Sequence, residues 1–335
     1  MISPDPPKRP RDADGRSESD AAGNPFVLAH LSDPHFACLS PVNKRDLLNK
    51  RLLGYVRWRL SRNRKHEDEI LSKLVDDLKS RNPDHMLVTG DLTHLGLPAE
   101  FQTARVWLQS LGPPARVSVV PGNHDAYVRS DWNETFASWL DYMASDGTGG
   151  RGNPGGGLED LFPTLRVRAR IAIIGVCSAR PCAPHLAVGT VGDGQLKRVE
   201  NLLKETGAQG LFRIVAIHHL PLPEFDTWRR RLTDARSFSA LIARCGAELI
   251  LHGHVHKAVY HALDTPSGRV WVVGATSASS SSLIPEKRAC YYLHGLTASE
   301  NAWEVRIAQR VYCPEARCFV PGKEQRYRVR APSPQ

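Results

Sequence analysis

Short apolar runs punctuate the chain. The first is Phe26–Leu31, and similar runs follow at Met86–Thr89, Val117–Val120, Ile171–Val176, Ile214–Ile217, Leu249–Leu251 and Val270–Val273. Continuous apolar runs of this length, bounded by turn residues, read as buried strands. Between them the spacing predicts helices over about 66–81, 97–110, 132–143, 193–205 and 236–245. In 193–205, Leu196, Val199, Leu202 and Leu203 fall on one helical face, as a helix packed on a sheet requires. Strands alternating with helices predict a layered α/β domain with a largely parallel sheet. The strand-rich stretch after 269 adds a further sheet or hairpins.

Five of the runs end in oxygen or nitrogen ligands. They close on Ser32-Asp33-Pro34-His35, Gly90-Asp91, Pro121-Gly122-Asn123-His124-Asp125, His218-His219 and His252-Gly253-His254-Val255-His256. The carboxyl ends of strands in open α/β sheets form the rim where ligands bind, so five such endings describe one site. Glycines precede Asp91, Asn123 and His254, and glycine permits the close backbone approaches of a crowded metal rim. Singly, each histidine or Gly-Asp reads as structural; the ordered set reads as a metal centre.

Composition narrows the class. The chain has 335 residues with 44 Lys+Arg against 35 Asp+Glu, a net charge of +9. The length suits one large domain or two ordinary ones, and the excess of cations points to anionic partners. No apolar run approaches the length of a membrane span. Seven scattered cysteines argue against a disulfide scaffold. The five-residue steps Cys177/Cys182 and Cys313/Cys318 are not a C-x2-C zinc pattern. With no apolar h-region at the start, the expected location is cytoplasmic. Residues 1–24 carry almost no large apolar side chains and read as a disordered tail, as does 327–335. The domain between them spans 25–326 and includes a Gly-rich loop at 145–157.

Residues 44–65 hold nine basic residues and one acid, with Leu48, Leu52, Tyr55 and Val56 on one helical face. Such a basic amphipathic helix either lies on an anionic membrane surface or packs on the core with a solvated face. A second cluster, Phe225, Trp228, Arg229, Arg230 and Arg231, follows His218 closely. It either gathers anionic substrate at the site or covers a core edge. No nucleic-acid-binding module is visible.

The blocks Asp33-x-His35, Gly90-Asp91, Gly122-Asn123-His124-Asp125, His218 and Gly253-His254-x-His256 resemble the calcineurin-like metallophosphoesterase signature, over roughly residues 26–310. The resemblance implies a four-layered α/β/β/α sandwich with a dinuclear site on its rim. It implies one metal held by Asp33, His35, Asp91 and His256, and another by Asp91, Asn123, His218 and His254. It implies a catalytic His124 on the leaving-group side, with Asp125 beside it. His219 is the alternative to His218. Mixed carboxylate, amide and imidazole donors suit Mn, Fe, Co or Zn, and two such cations clamp a phosphoryl group for in-line attack. His252 reads as rim, and His30, His66, His85, His94, His185, His261 and His294 as structural or surface.

Within the family the chain is similar to bacterial class III cyclic-nucleotide phosphodiesterases, which implies a phosphodiester substrate of the 3′,5′-cAMP type. The basic arm is more like what UDP-2,3-diacylglucosamine pyrophosphatases use on a lipid-linked nucleotide, with peripheral membrane contact through 44–65. A nuclease and an inactive scaffold are the remaining alternatives.

Overall fold

The computed structural model describes residues 24–36, 50–52, 55–56, 68–147, 156–266 and 268–332. The expected apolar runs are strands. In chain order the strands are β1 (Phe26–Leu31), β2 (His85–Val88) and β3 (Val117–Val119), then β4 (Thr164–Arg168), which no expected run covers, β5 (Ile171–Val176), β6 (Phe212–Ile217) and β7 (Leu249–His252). Next come β8 (Val259–Thr265) and β9 (Gly268–Gly274), and last β10 (Cys290–Ser299), β11 (Ala302–Cys313) and β12 (Cys318–Arg330). The helices are α1 (Asp68–Arg81), α2 (Pro98–Leu111), α3 (Leu140–Met143), α4 (Leu158–Leu161), α5 (Asp193–Ala208) and α6 (Ala235–Cys245).

The strands form two six-stranded sheets, ordered β12-β11-β10-β1-β2-β3 and β4-β5-β6-β7-β9-β8. Both are mixed, which corrects the expectation of a largely parallel sheet. β1, β2 and β3 run parallel, while β10, β11 and β12 join β1 as an antiparallel meander. In the second sheet β5, β6, β7 and β9 are parallel, with β4 and β8 antiparallel at the edges. Connection length decides this: α5 and α6 serve as crossovers, whereas short turns permit only antiparallel pairing.

Strands β5, β6 and β7 are buried on both faces. Ile173, Ile214 and Leu251 point into the core between the sheets, and Ile174, Val215 and Ile250 point into a second core against α5 and α6. Rings of Phe212 and Trp303 meet across the sheets at 5.2 Å. On the far side α1 buries Ile70, Leu71, Leu74 and Leu78, each contributing about 1.5–3 kcal/mol. The result is the expected four-layered α/β/β/α sandwich.

Two further expectations are corrected. The helix expected over 132–143 is a run of turns, a 3-10 segment at Phe136–Trp139 and the single turn α3. Asp131 Oδ1 accepts the amide of Asn133, and Thr135 Oγ1 donates to the Asp131 carbonyl. These local bonds compete with helix formation. The tail expected from 327 instead continues β12 to Arg330, because Val329 and Arg330 still pair with Trp303 and Ala302. The tail at 1–23, most of the basic arm at 44–65, the centre of the Gly-rich loop and His66 lie outside the described residues. Among the described residues no helix is long and apolar enough to cross a membrane.

Candidate metal centre

The candidate ligands sit on loops at the carboxyl ends of β1, β2, β3, β6 and β7, where the two sheets meet. The loops are tied by backbone bonds that continue the strand pairing. Asp33 N donates to Gly90 O (3.0 Å), His35 N to Asp91 O (3.1 Å), and Phe36 N to Leu92 O (2.7 Å). In the second sheet Gly253 N donates to His218 O (3.1 Å). Side chains then cross between sheets. His254 N donates to Asp33 Oδ2 (3.1 Å), and His218 Nδ1 lies 2.6 Å from Thr89 O. His124 N donates to Asp91 Oδ1 (2.7 Å). The segment after β9 braces the first loop, with Ser277 and Ser279 hydroxyls on the carbonyls of Asp33 and Pro34.

Two donor groups result. Asp33, His35, Asp91 and His256 each present a ligand atom within 4.8 Å of the others, and so do Asp91, His218 and His254. Asn123 Oδ1 joins the second group at 3.2 Å from His218 Nε2. Every metal ligand expected from the sequence is therefore in one of two groups, and Asp91 is in both.

Several observations fit cations in these groups. His35 Nε2 and His256 Nε2 lie 3.0 Å apart. Asp33 Oδ1 is buried and makes no hydrogen bond of acceptable geometry, although His256 Nε2 is 3.1 Å away. The Thr89 carbonyl takes the Nδ1 proton of His218, which leaves Nε2 as a donor atom; such outer bonds fix the tautomer of metal-ligating histidines. Gly122 and Gly253 are required by close approach. A Cβ on Gly122 would lie 2.2 Å from Asp91 Oδ1, and one on Gly253 would lie 1.9 Å from Ser32 Oγ and 2.5 Å from Asp33 Oδ2.

The electrostatics show how concentrated the charge is. Burial opposes ionisation of Asp91, but His218 and His124 beside it outweigh that and hold it well below the usual carboxylate range. Burial works against a charged His218, yet Asp91 carries it up to about 9. His219 behaves oppositely: burial, with His218 adjacent, pushes it down to about 3. Its ring turns away from Asp91, with Nδ1 2.7 Å from Ser178 Oγ and Nε2 3.2 Å from Ala187 O. His218, not His219, thus faces the donor groups.

The two remaining candidates differ in position. His124 is half-buried at the mouth, with Nδ1 2.6 Å from the His94 carbonyl. Asp125 lies behind the loops. It accepts the amides of Thr93 and Gly122 (both 2.8 Å) and the Thr93 hydroxyl (3.0 Å). That makes it a positioning residue which locks the Asp91 loop to the Asn123 loop. His94, read from sequence as structural, stacks on His124 at 5.5 Å and forms a third nitrogen cluster with His35 and His124. Its place three residues after Asp91 was the available signal. His252 is buried behind the rim, its Nδ1 2.9 Å from Gly253 O.

Two clefts open from the centre. One, of about 610 Å³, is lined by Lys50, Tyr127, His185, Trp228 and Arg229. The other, of about 660 Å³, is lined by His254, His256, Lys257, Ser281, Ile284 and Lys287. Both include Asn123, His124, Ala187 and Arg230, so they join over the donor groups.

Comparison with known proteins agrees with this geometry. A probable cyclic nucleotide phosphodiesterase of Synechococcus sp. is 45% identical over 49 residues, 15% of this chain and 18% of the relative. The glycerophosphodiester phosphodiesterase GpdQ of Enterobacter lignolyticus is 35% identical over 100 residues, 30% of each. The chain thus spans less than a third of either relative's length. A dimetal phosphatase from Danio rerio shares the fold with a TM-score of 0.54 at 11% identity, over 93% of this chain and 100% of that one. The calcineurin-like phosphoesterase model matches residues 26–258, and the chain belongs to that family.

Proposed function

We propose that the protein is a phosphodiesterase that works with two divalent cations. Asp33, His35, Asp91 and His256 hold one, and Asp91, Asn123, His218 and His254 hold the other. The observation that carries this reading is the Asp91 carboxylate, which belongs to both donor groups. The mixed nitrogen and oxygen donors suit Mn, Fe, Co or Zn. Bound there, the cations supply Lewis-acid polarisation of the phosphoryl oxygens and an activated water.

The chain's own residues do the rest. The His94 carbonyl takes the Nδ1 proton of His124, so proton transfer to the departing oxygen falls to Nε2. Asp125 holds the Asp91 and Asn123 loops in register. The twin clefts leave room on either side of the phosphoryl centre, which favours a diester over a monoester. A cyclic nucleotide of the 3′,5′-cAMP type, the class named for the Synechococcus relative, carries both ester oxygens on one ribose, so its nucleoside would occupy a single cleft, the first, beside Arg229 and Arg230. A glycerophosphodiester, the class in GpdQ's name, and a lipid-linked nucleotide present the same phosphoryl centre with different arms.

The test is hydrolysis of bis(p-nitrophenyl) phosphate by Mn-loaded protein, with Asp91→Ala and His256→Ala as controls. Turnover should vanish in both variants, and full activity in both refutes the reading. A panel of cAMP, 2′,3′-cyclic nucleotides, glycerophosphodiesters, UDP-diacylglucosamine and a phosphomonoester then ranks the arms.

A further inference from the structure

Eight large apolar side chains are exposed among the described residues, and six of them, Leu52, Val56, Phe225, Trp228, Leu283 and Ile284, belong to segments that contribute residues to the two clefts. They come from three separate segments. Trp228 lines the first cleft beside His124, and Ile284 lines the second beside His254 and His256. Phe225 and Leu283 stand next to these on the same loops, 51% and 70% exposed. Leu52 and Val56 belong to the segment whose Lys50 lines the first cleft. Its Tyr55 packs against Leu95 and Leu97, next to His94.

Cations are interleaved with these apolar tips. Lys50, Arg229, Arg230, Lys257 and Lys287 line the two clefts. The acids on the same loops are Glu224, Asp226 and Glu286, and Arg230 engages Asp226 at 3.2 Å. Arg229 lies over the Trp228 ring at 5.2 Å. Exposed apolar side chains on loops beside clefts that Lys50, Arg229, Arg230, Lys257 and Lys287 line match the requirements of an anionic lipid surface: shallow insertion plus attraction to headgroups. A protein partner calls for a contiguous apolar centre depleted in lysine, which this rim does not have.

We infer that the rim of the metal centre docks on an anionic lipid bilayer, with Phe225, Trp228, Leu283 and Ile284 entering the headgroup layer and the lysines and arginines between them meeting lipid phosphates. Docking does not depend on the chemistry; only the consequence that substrate enters from the membrane side rests on the phosphodiesterase reading.

The test is co-sedimentation of the full chain with vesicles of equal parts phosphatidylcholine and phosphatidylglycerol. The protein should sediment with these at low salt and not with phosphatidylcholine alone. Phe225→Ser/Leu283→Ser should lower the partition coefficient by about tenfold or more. Its turnover of bis(p-nitrophenyl) phosphate should match the parent, because neither side chain lines a cleft. Brominated lipid in the same vesicles should quench tryptophan emission of the Trp58→Phe chain, and adding Trp228→Phe should remove that quenching. Absence of sedimentation with the mixed vesicles overturns docking. So does equal sedimentation of the double variant, or quenching that survives Trp228→Phe. Retention on polyglutamate without vesicle binding overturns the lipid occupant in favour of an acidic protein. Loss of turnover in the parent chain, with docking intact, refutes the phosphodiesterase reading instead.

Discussion

Glu100 is buried among backbone amides and sits directly under the loop that carries His94. Its Oε2 accepts the amides of Leu95 (2.9 Å) and Leu97 (3.0 Å), while Oε1 is buried without a partner. Burial pushes its carboxyl up from 4.5 to about 7, against the pull of the Leu97, Leu95 and His94 amides and of Arg51. Between these two values the folded chain keeps a proton that the unfolded chain has lost. Stability therefore falls as pH rises from about 4.5 to about 7. Glu100→Gln removes the ionisation and keeps both amide bonds, since one oxygen receives them. Integrating the linkage from pH 5 to pH 8 gives the variant a gain over the parent of about 2.5 kcal/mol. Comparing two pH values cancels the fixed cost of exchanging Oε1 for an amide nitrogen. The assay is urea denaturation of chelator-treated parent and variant at both pH values, analysed as two-state transitions. A stability difference that is the same at pH 5 and pH 8 refutes the assignment of a buried, neutralisable carboxylate. Turnover at pH 8 should stay unchanged, because the loop geometry does.

The remaining expectations concern the centre itself. His124→Ala should lower kcat for the diester by about 10²–10⁴-fold with metal content intact, as measured by metal analysis beside steady-state kinetics. His94→Ala keeps the carbonyl that orients His124 and removes only the stacked ring, so a loss of about tenfold is expected in the same assay. Asp125→Asn turns an amide group toward the Gly122 N–H, at a cost of about 1–3 kcal/mol; metal titration should show affinity weakened by about 10–100-fold. Gly253→Ala drives a methyl into Ser32 Oγ and Asp33 Oδ2. It should empty the Asp33 group first, giving fewer metals per chain than the parent by elemental analysis.

What the sequence reveals, and what it hides, follows from range. The endings Asp33, Asp91, Asn123, His218 and His254 are legible because strand polarity brings the carboxyl ends of parallel strands to one rim, whatever the sheet count. Periodicity likewise finds β5 and β6, which are buried on both faces. It does not separate one sheet from two, because that depends on how β10 meets β1, a pairing between residues near 294 and 28. The segment 132–143 misleads for a local reason: Trp132, Phe136 and Trp139 have helical spacing, but Asp131 and Thr135 divert the backbone bonds. His94 escapes notice because no motif surrounds it, and its role arises only when the 92–97 loop folds over His124.

The deepest feature of the site is invisible to pattern reading. Among the described residues, five of the nine non-glycine residues with positive φ are Asp33, His35, Asp91, His254 and His256. Such backbone costs on the order of 1–3 kcal/mol per residue and persists only where neighbouring structure over-determines it. Here the bonds from Asp33 N and His35 N to the Gly90 and Asp91 carbonyls supply that constraint. The strain has a geometric purpose. In an extended strand, residues two apart stand on one face about 7 Å from each other. Asp33 Oδ1 and His35 Nε2 approach to 3.7 Å, which needs a backbone that curls. The same curl at His254 and His256 does the opposite, sending neighbours in an alternating pattern to different donor groups. Alternation alone would put both histidines on one group and leave the other short of a ligand. The left-handed turns are therefore what divides one strand ending between the two donor groups.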